Sequence, residues 1–459
     1  MSGTLLCILA FLSCTAFSIA NWRYGLCALM AWGYFFGILK AHYVATWGHF
    51  IFDAATVGFY AGILLNWPKL EERQKWEKIK PWVIGMVAWP LFMALLPIQH
   101  YFVQLVGLRG NMFWIPMLLV GCMLDGPGRS LLAYTLAILN MVAFGFAAAE
   151  YTLGVEVFVP DNEVTQIVMN SSDIADGNKR IPSTFTNAHS YAGTMLGTIP
   201  WILGELLNKQ KIGLGRASGT LILVPGLLAA LLGIFIAGPR SPVVVLGLLI
   251  LLTVFSGRVN LGFVALTVLV GTIVAYFVSQ DERMQRFTEL QDIDMVTERM
   301  SMSMNMGFFE VLLDYPMGNG MGAGGTSLPY FIQQLLTSSV VMENEYARIL
   351  LEQGLPGLLF FLAFVAWFAT RPIQRDDPAR MSKTLLWFIT AITFSTAFIG
   401  IGMMSSIPCT AMMLVGLGYC VTPAAAPLGL RRSDHTGGRQ AMFAARSAAP
   451  AYQRGLARS

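Results

Sequence analysis

The stretch "SSVVMENEYARILLEQGLPGLLFFLAF", residues 338–364, places a charged cluster directly before a long apolar run. Three ionisable side chains and one amide form the cluster: Glu343, Asn344, Glu345 and Arg348. Asn344 is a favoured helix N-cap, and carboxylates in a first turn complement the helix dipole. The apolar run at 346–370 is long enough to span a bilayer. The stretch therefore predicts a capped membrane helix, and it leaves open whether the charged start also forms a site at the membrane surface.

The composition indicates an integral membrane protein. Of 459 residues, 55% are hydrophobic and 12% are charged, whereas a soluble protein carries roughly 25% charged residues. Apolar runs of roughly 17–25 residues recur, which is the length needed to cross the hydrocarbon core. These runs lack the period-two alternation of barrel strands. We therefore predict an all-α, polytopic integral membrane protein with about 12–13 transmembrane helices and one long periplasmic loop containing short helices.

The apolar runs place the predicted spans along the chain. They lie at about 3–20, 24–42, 47–66, 81–98, 112–124, 130–149, 188–207, 217–238, 242–257, 260–279, 346–370, 384–404 and 407–424. The span at 112–124 is short, and "YFVQLVGLRGN" before it is a candidate re-entrant segment. The predicted number of transmembrane helices is therefore twelve or thirteen. The first run lacks a basic n-region, so we interpret it as an uncleaved membrane helix.

The basic residues determine the predicted orientation. Lys and Arg concentrate in the loops at 67–80, 208–216 and 371–383 and in the tail after Leu430, so these segments are predicted to be cytoplasmic. The resulting organisation is as follows: N-terminal transmembrane helices at 1–150, a periplasmic loop at 151–187, central transmembrane helices at 188–279, a large periplasmic loop at 280–345, C-terminal transmembrane helices at 346–425 and a disordered basic cytoplasmic tail at 426–459.

Three arginines, Arg180, Arg240 and Arg299, fall on the predicted outer face against the positive-inside rule. A guanidinium is always charged and multidentate, so it suits phosphate oxygens at a fixed geometry. Each arginine also has a simpler structural explanation than phosphate binding. Arg240 can reach the interface along its apolar stem, and Arg180 and Arg299 have acidic neighbours with which to form ion pairs. The three are candidate ligands of a lipid-linked pyrophosphate.

Other polar and small residues have simpler interpretations. His189 is a candidate substrate-binding residue, although hydrogen bonding at a helix start also explains it. His49 and Asp53 are one helical turn apart and are interpreted as a local polar pair. The glycine run "GNGMGAGGTS" lacks the GK[ST] ending of a nucleotide loop and instead allows close backbone approach. The six cysteines lack metal-site spacing and are interpreted as small apolar fillers. The expectation for the chain is no metal and no cofactor.

Four motifs carry a resemblance to a known family. "RMSMSMNMGFFEVLLDYPMGNGMG" from Arg299, followed by "ENEYARILLEQGLPGLLFF" from Glu343, resembles the signature of the O-antigen ligase and Wzy-type polymerase superfamily. "PRSPVVVLGLLILL" is similar to the family's arginine that opens a membrane helix, and "RIPSTFTNAHSYAGTML" is similar to its "GTFxxPNxxA" motif. The resemblance covers roughly residues 180–370.

The resemblance implies a metal-independent membrane glycosyltransferase of the GT-C type in the bacterial inner (cytoplasmic) membrane. Such enzymes transfer a glycan from undecaprenyl pyrophosphate to an acceptor on the periplasmic face. Arg240 and Arg299 match the family's pyrophosphate-binding arginines, and Asn344 matches its asparagine. Glu343 stands where ligases have a histidine, which makes it the candidate catalytic base. Arg180 and His189 remain candidate substrate-binding residues from the sequence pattern alone.

The expected function is that of an inverting polysaccharide polymerase, as in O-antigen or exopolysaccharide biosynthesis, that uses lipid-linked repeat units. The first alternative is an O-antigen ligase acting on lipid A-core or protein, because Glu343 is the only sequence feature separating the two. A lipid or sugar transporter would place charges at mid-membrane, and a non-catalytic scaffold is a further alternative. The expected partners are the undecaprenyl-pyrophosphate-linked glycan and the lipid bilayer, with a chain-length regulator and a flippase as candidates and no nucleic acid.

Overall fold

The computed structural model describes most of the chain up to Thr422. The described residues are 3–422 except 44–45, 69, 163–164, 167–172, 175–177, 208–213, 256–270, 273–275, 277–279, 281–293, 295–296, 298–300, 302–307, 326–327, 338–339, 341–343, 375–376, 378 and 399–405. The predicted tail at 426–459, most of the predicted span at 260–279, and two candidate site residues, Arg299 and Glu343, lie outside them.

Eight helices make up the N-terminal third. They are α1 (Gly3–Ala20), α2 (Trp22–His42), α3 (Ile51–Leu65), α4 (Leu70–Gln74), α5 (Lys80–Ala94), α6 (Tyr101–Met112), α7 (Met117–Met123) and α8 (Gly126–Leu153). Asn21 and Asp125 cap α2 and α8 by accepting hydrogen bonds from Arg23 N and Gly128 N. These polar residues end the apolar runs and so fix where each helix begins.

Within the described residues, eight more helices follow after a two-stranded antiparallel ladder, Asp173–Ile174 with Asn178–Lys179. They are α9 (Ala188–Leu206), α10 (Leu214–Ala237), α11 (Arg240–Phe255), α12 (Phe308–Asp314), α13 (Tyr330–Gln333), α14 (Glu345–Ala369), α15 (Arg380–Thr396) and α16 (Cys409–Val421). The short helices α12 and α13 lie in the predicted long loop between the central and C-terminal membrane helices.

Seven helical stretches of the described chain are long and apolar enough to cross a membrane. They are Gly3–Ala20, Trp22–His42, Trp47–Leu65, Tyr101–Met123, Gly126–Leu153, Gly219–Ala237 and Glu345–Ala369. Arg240–Phe255 and Cys409–Val421 are shorter apolar helices. The chain is therefore an all-α polytopic membrane protein, as the composition predicted.

One span begins earlier than the sequence predicted. The apolar run at 112–124 is extended by α6, so that α6 and α7 together form the stretch Tyr101–Met123 around a turn at 113–116. Arg109 and Asn111 lower the hydropathy of α6, which made it resemble a re-entrant segment. Both side chains are paired inside the protein, with Asp53 and with Glu352, so the helix need not leave the apolar region.

The loops separate into two ends of the helix bundle. The described residues of the segments 154–187 and 308–344 lie at one end, here named the long-loop end. There Asn162 Nδ2 donates to Ala41 O over 2.9 Å, and Ile38 N donates to Thr184 O over 3.0 Å. Ion pairs at the opposite end include Arg23–Asp125, Arg129–Glu205 and Lys383–Asp377. This end carries the basic loops that the positive-inside rule assigns to the cytoplasm.

Helix α14 is broken after its first nine residues. Gly354 has φ 70° and ψ 178°, which is outside helical geometry and in a region that favours glycine. The loop before α13 satisfies the peptide groups that the break frees: Asn319 N donates to Leu351 O over 2.6 Å, and Leu355 N donates to Pro316 O over 2.8 Å. A Cβ at Gly318 would lie 2.8 Å from Gly354 N. The glycine run therefore allows backbone to pack against backbone at the break.

Single-cysteine labelling tests the two ends. In a background lacking the six native cysteines, we expect an impermeant maleimide to label Asp161→Cys in intact cells. Lys78→Cys should react only after the inner membrane is permeabilised. Both side chains are exposed in the structure, so accessibility reports the side of the membrane. Labelling of Lys78→Cys alone in intact cells would reverse the orientation.

Candidate functional site

The segment that carries Arg180 and His189 is anchored at the long-loop end. Ser183 has φ 53°, a left-handed conformation. Its N–H donates to the Glu150 carboxylate over 2.7 Å, and its hydroxyl donates to Ala143 O over 2.7 Å. Since Glu150 is fully buried at the end of α8, these bonds hold the segment against that helix.

The same segment brings two of the predicted site residues together. Asn187 caps α9 by accepting from Ser190 N over 2.8 Å, which places His189 in the first turn with its side chain exposed. Arg180 Nη1 lies 3.5 Å from His189 Nε2. The preceding Lys179 pairs with Glu156 over 2.9 Å, and this hydrogen bond holds the pKa of Glu156 below its usual range. Arg180 and His189 therefore form one polar group at the long-loop end.

Arg240 begins α11, immediately after the turn that leaves α10. Gly238 occupies this turn with φ 93°, and its N–H donates to Phe235 O over 3.1 Å. The Arg240 side chain is partly exposed. The tight turn predicted from "AGPRSP" is thus present, and the guanidinium stands at the start of an apolar helix at the long-loop end.

Asn344 is the N-cap of α14, as its sequence position predicted. Its Oδ1 accepts from Tyr346 N over 2.9 Å and from Ala347 N over 3.2 Å, and the residue is fully buried. Its Nδ2 has no hydrogen-bond partner among the described residues. The cap therefore uses Oδ1 of the Asn344 amide. Its Nδ2 is available to donate a hydrogen bond to a ligand or to residues 341–343, which the structure does not describe.

A buried ion-pair cluster follows the cap within α14. Arg348 donates through Nη2 to Glu345 Oε1 over 2.6 Å and through Nη1 to Glu352 Oε2 over 2.7 Å. Glu345 and Glu352 are 0% exposed and Arg348 is 1% exposed. In the sequence, Glu345 and Arg348 are spaced i, i+3 and Arg348 and Glu352 are spaced i, i+4. Both spacings predict contact on one face of a helix. Sequence reasoning placed Glu345 and Arg348 at the helix mouth and did not assign Glu352.

Helix α6 completes this cluster from a distant part of the chain. Asn111 Nδ2 donates to Glu352 Oε2 over 2.6 Å, and Asn111 Oδ1 accepts from Arg348 Nη1 over 3.1 Å and from Gln353 Nε2 over 2.9 Å. Asn111, Arg348 and Gln353 also line a pocket whose apolar wall includes Trp89 and Phe361. The polar groups beside the break in α14 are therefore tied to α6.

A second charged cluster joins α3 to α6, nearer the N-terminus of the chain. Arg109 pairs with Asp53 through both carboxylate oxygens, and its guanidinium lies 5.6 Å from the ring centre of Phe50. Lys40 and His49 lie within electrostatic range of Arg109. Asp53 thus has a charged partner on another helix, which its interpretation as a local pair with His49 did not include.

Part of the chain is similar in sequence to a known family. Residues 225–362 match a family model described as O-antigen ligase, which supports the resemblance to the O-antigen ligase/Wzy superfamily. Among curated proteins, none matches the chain in sequence. The matched segment includes Arg240, Asn344 and the break at Gly354. The resemblance is confirmed there, and the match supports an O-antigen ligase or polymerase type of function in a multi-pass membrane protein.

Breaking the buried cluster of α14 by removing its one cation should strongly destabilise the protein. Arg348→Met leaves the Glu345 and Glu352 carboxylates buried without a counter-charge, which costs about 3–5 kcal/mol. We expect a marked fall in the thermal midpoint in detergent. The triple variant Glu345→Gln, Arg348→Met, Glu352→Gln removes all three charges and should recover much of the loss. If the triple variant were no more stable than Arg348→Met, the charges would not be the cause.

Proposed function

We propose that the protein is a polysaccharide polymerase of the bacterial inner membrane, with its active site at the periplasmic face. It transfers a glycan from undecaprenyl pyrophosphate to the terminal sugar hydroxyl of a lipid-linked repeat unit. The family match at 225–362 supports the reaction class. The arrangement of α14 supports the assignment of the base.

The burial of Glu345 is the observation that carries the assignment. Its carboxylate is fully buried and accepts two hydrogen bonds from Arg348. A sugar hydroxyl has no access to a fully buried carboxylate whose oxygen already accepts two hydrogen bonds. Of the two carboxylates that flank the Asn344 cap, Glu343 is therefore the candidate general base.

The proposed chemistry is a direct displacement at the anomeric carbon. The Glu343 carboxylate takes the proton of the acceptor hydroxyl as its oxygen forms the new glycosidic bond. The bond from the anomeric carbon to the pyrophosphate breaks, and undecaprenyl pyrophosphate departs with the electron pair. Arg240 and Arg299 stabilise its charge, and Arg180, His189 and Asn344 contact the glycan or the phosphates. Attack opposite the leaving group inverts the anomeric centre.

The alternative is a ligase that transfers the glycan to lipid A-core or to protein. It would use the same arginines and the same base, so the two activities differ in their acceptor. Glycan analysis in a strain lacking the protein separates them. Single repeat units on the carrier lipid support the polymerase, whereas long unattached chains on the carrier lipid support the ligase.

Glu343→Gln tests the base. Glutamine keeps the size and an acceptor oxygen but takes no proton, so turnover should fall by about 10²–10⁴-fold with unchanged thermal stability. Glu310→Gln is the matched control because Glu310 is an exposed carboxylate of the same loop, and it should retain normal activity. The readout is glycan laddering at equal protein levels. An active Glu343→Gln protein would remove Glu343 from the catalytic role.

Arg240→Ala tests the pyrophosphate contact. Losing a charge-assisted hydrogen bond costs about 1.5–3 kcal/mol, which corresponds to about 10–150-fold in activity. Arg240→Lys should recover activity partly, because lysine keeps the charge but lacks the planar fork. Arg380→Ala is the control, since Arg380 also begins an apolar helix but lies at the opposite end. Equal activity of Arg240→Ala and Arg380→Ala would exclude the contact.

A further inference from the structure

Glu150, in the last turn of α8, is a fully buried carboxyl group that the proposed chemistry does not use. One oxygen, Oε2, accepts a hydrogen bond from Ser183 N over 2.7 Å. The other oxygen, Oε1, has no hydrogen-bond partner among the described residues, and the ion pairs found in that part of the chain do not include Glu150. Because burying an incompletely paired carboxyl group is costly, its position indicates a role beyond packing.

Ser183 is the residue that Glu150 holds, and its backbone conformation is strained. Its φ of 53° lies in the left-handed region, which residues other than glycine rarely adopt. Such a conformation persists only where the surrounding structure imposes it, and it is common at functional sites. Two hydrogen bonds to α8 impose it here, one from Ser183 N to Glu150 and one from Ser183 Oγ to Ala143 O. The bond to Glu150 is the one that fixes the peptide group itself.

The residues that follow Ser183 are packed closely against α2 and α9. The ring of Phe185 packs against Tyr34 of α2 and Tyr191 of α9, with ring-centre distances of 5.1 and 5.4 Å. The backbone approaches α2 directly, since a Cβ at Gly37 would lie 2.0 Å from the carbonyl carbon of Phe185. A close-packed segment of this kind has little room to shift without disturbing its neighbours. Its placement therefore depends on the point at which Ser183 is held.

The two predicted substrate contacts lie on either side of Ser183 in the chain. Arg180 precedes Ser183 by three residues, so their Cα atoms are at most about 11 Å apart. Of the residues between them, Ile181 is 3% exposed, and the ring of Pro182 restricts its φ. His189 lies in the first turn of α9, where its Nε2 is 3.5 Å from Arg180 Nη1. A displacement of Ser183 would therefore move Arg180 relative to His189.

We propose that Glu150 is a positioning residue for the glycan transfer. By holding the Ser183 peptide group it fixes the place of Arg180 and His189, and it contacts no substrate itself. The inference rests on the proposed function, in which Arg180 and His189 contact the glycan or the phosphates of a lipid-linked substrate. The carboxyl group acts as a hydrogen-bond acceptor at a fixed distance from α8, so the length of the side chain and its acceptor oxygen are the features that matter.

Steady-state kinetics separate positioning from stability. Glu150→Ala displaces two substrate contacts, so KM for the lipid-linked repeat unit should rise about tenfold or more while kcat stays within about twofold. Glu150→Gln keeps the length and an acceptor oxygen and should restore KM nearly to the wild-type value. A loss of folded protein alone would instead lower the apparent kcat and leave KM unchanged. Asp161→Ala is the matched control, because it removes an exposed carboxylate of the same loop, and it should change neither constant.

A combined variant shows whether Glu150 acts through the two substrate contacts. In protein that already carries Arg180→Ala and His189→Ala, adding Glu150→Ala should raise KM by no more than about twofold, because residues that act through one another are not additive. A further tenfold rise would refute the positioning role. Glu150→Asp makes a milder comparison, since it withdraws the carboxyl group by one methylene group. Its KM should lie between the values of the wild-type protein and Glu150→Ala.

Hydrogen exchange tests the placement of the segment without turnover. In purified full-length Glu150→Ala protein without substrate, peptides from 180–189 should exchange about tenfold or more faster than in the wild-type protein, whereas peptides from 345–353 should be unchanged. Wild-type exchange at 180–189 in folded Glu150→Ala protein would overturn the inference. Faster exchange with wild-type KM in both Glu150→Ala and Arg180→Ala would remove the link to the reaction, and it would count against the proposed role of Arg180 rather than against the anchor.

Discussion

A break in a membrane helix leaves backbone N–H and C=O groups without helical hydrogen bonds, and hydrocarbon offers no replacement partners. Helix α14 has such a break at Gly354. Partners for these groups must come from the protein itself. They come from the loop at 316–319 and from the indole of Trp89, which donates to Gln353 O over 3.0 Å. Gly318 of that loop allows its backbone to approach closely, so the long loop is joined to the membrane helix at this point.

The break also separates two environments along α14. The nine residues before Gly354 are buried almost throughout, whereas the residues after it expose Leu355 and Leu359. A helix that is buried on all sides can hold charges only where partners surround them. Arg348 meets this condition through Glu345, Glu352 and Asn111. Of these partners Asn111 comes from another helix, so the start of α14 is tied to α6, and the proposed base at Glu343 would need a fixed support of this kind.

Local sequence patterns predicted much of this structure. The apolar runs predicted the membrane helices, and Asn344 was predicted as the cap of α14. The stretch "AGPRSP" predicted the turn before Arg240. The positions of Glu343 and Arg299 stay predictions, because both lie outside the described residues. The order of the motifs also predicted the family found at 225–362.

The missed features depend on partners far away in the chain. Arg109 pairs with Asp53 across 56 residues, and Asn111 pairs with Glu352 across 241 residues. No local periodicity encodes such pairings. A signal for Lys40 and Arg109 did exist, because both are cations on the predicted outer face and break the same rule that identified Arg180, Arg240 and Arg299.

Helix α6 has a consequence for how the chain enters the membrane during synthesis. Asp53 is synthesised before Arg109, so this pair can form as soon as Arg109 is inserted. Glu345, Arg348 and Glu352 are inserted together because they lie on one helix. Asn111 differs, since Glu352 emerges from the ribosome 241 residues later. At 5–20 residues per second that interval is roughly 10–50 s. During it the Asn111 amide has its bond to Gly107 O within α6 but not its partners on α14, so the nascent N-terminal helices carry a polar group that is fully paired only when α14 arrives.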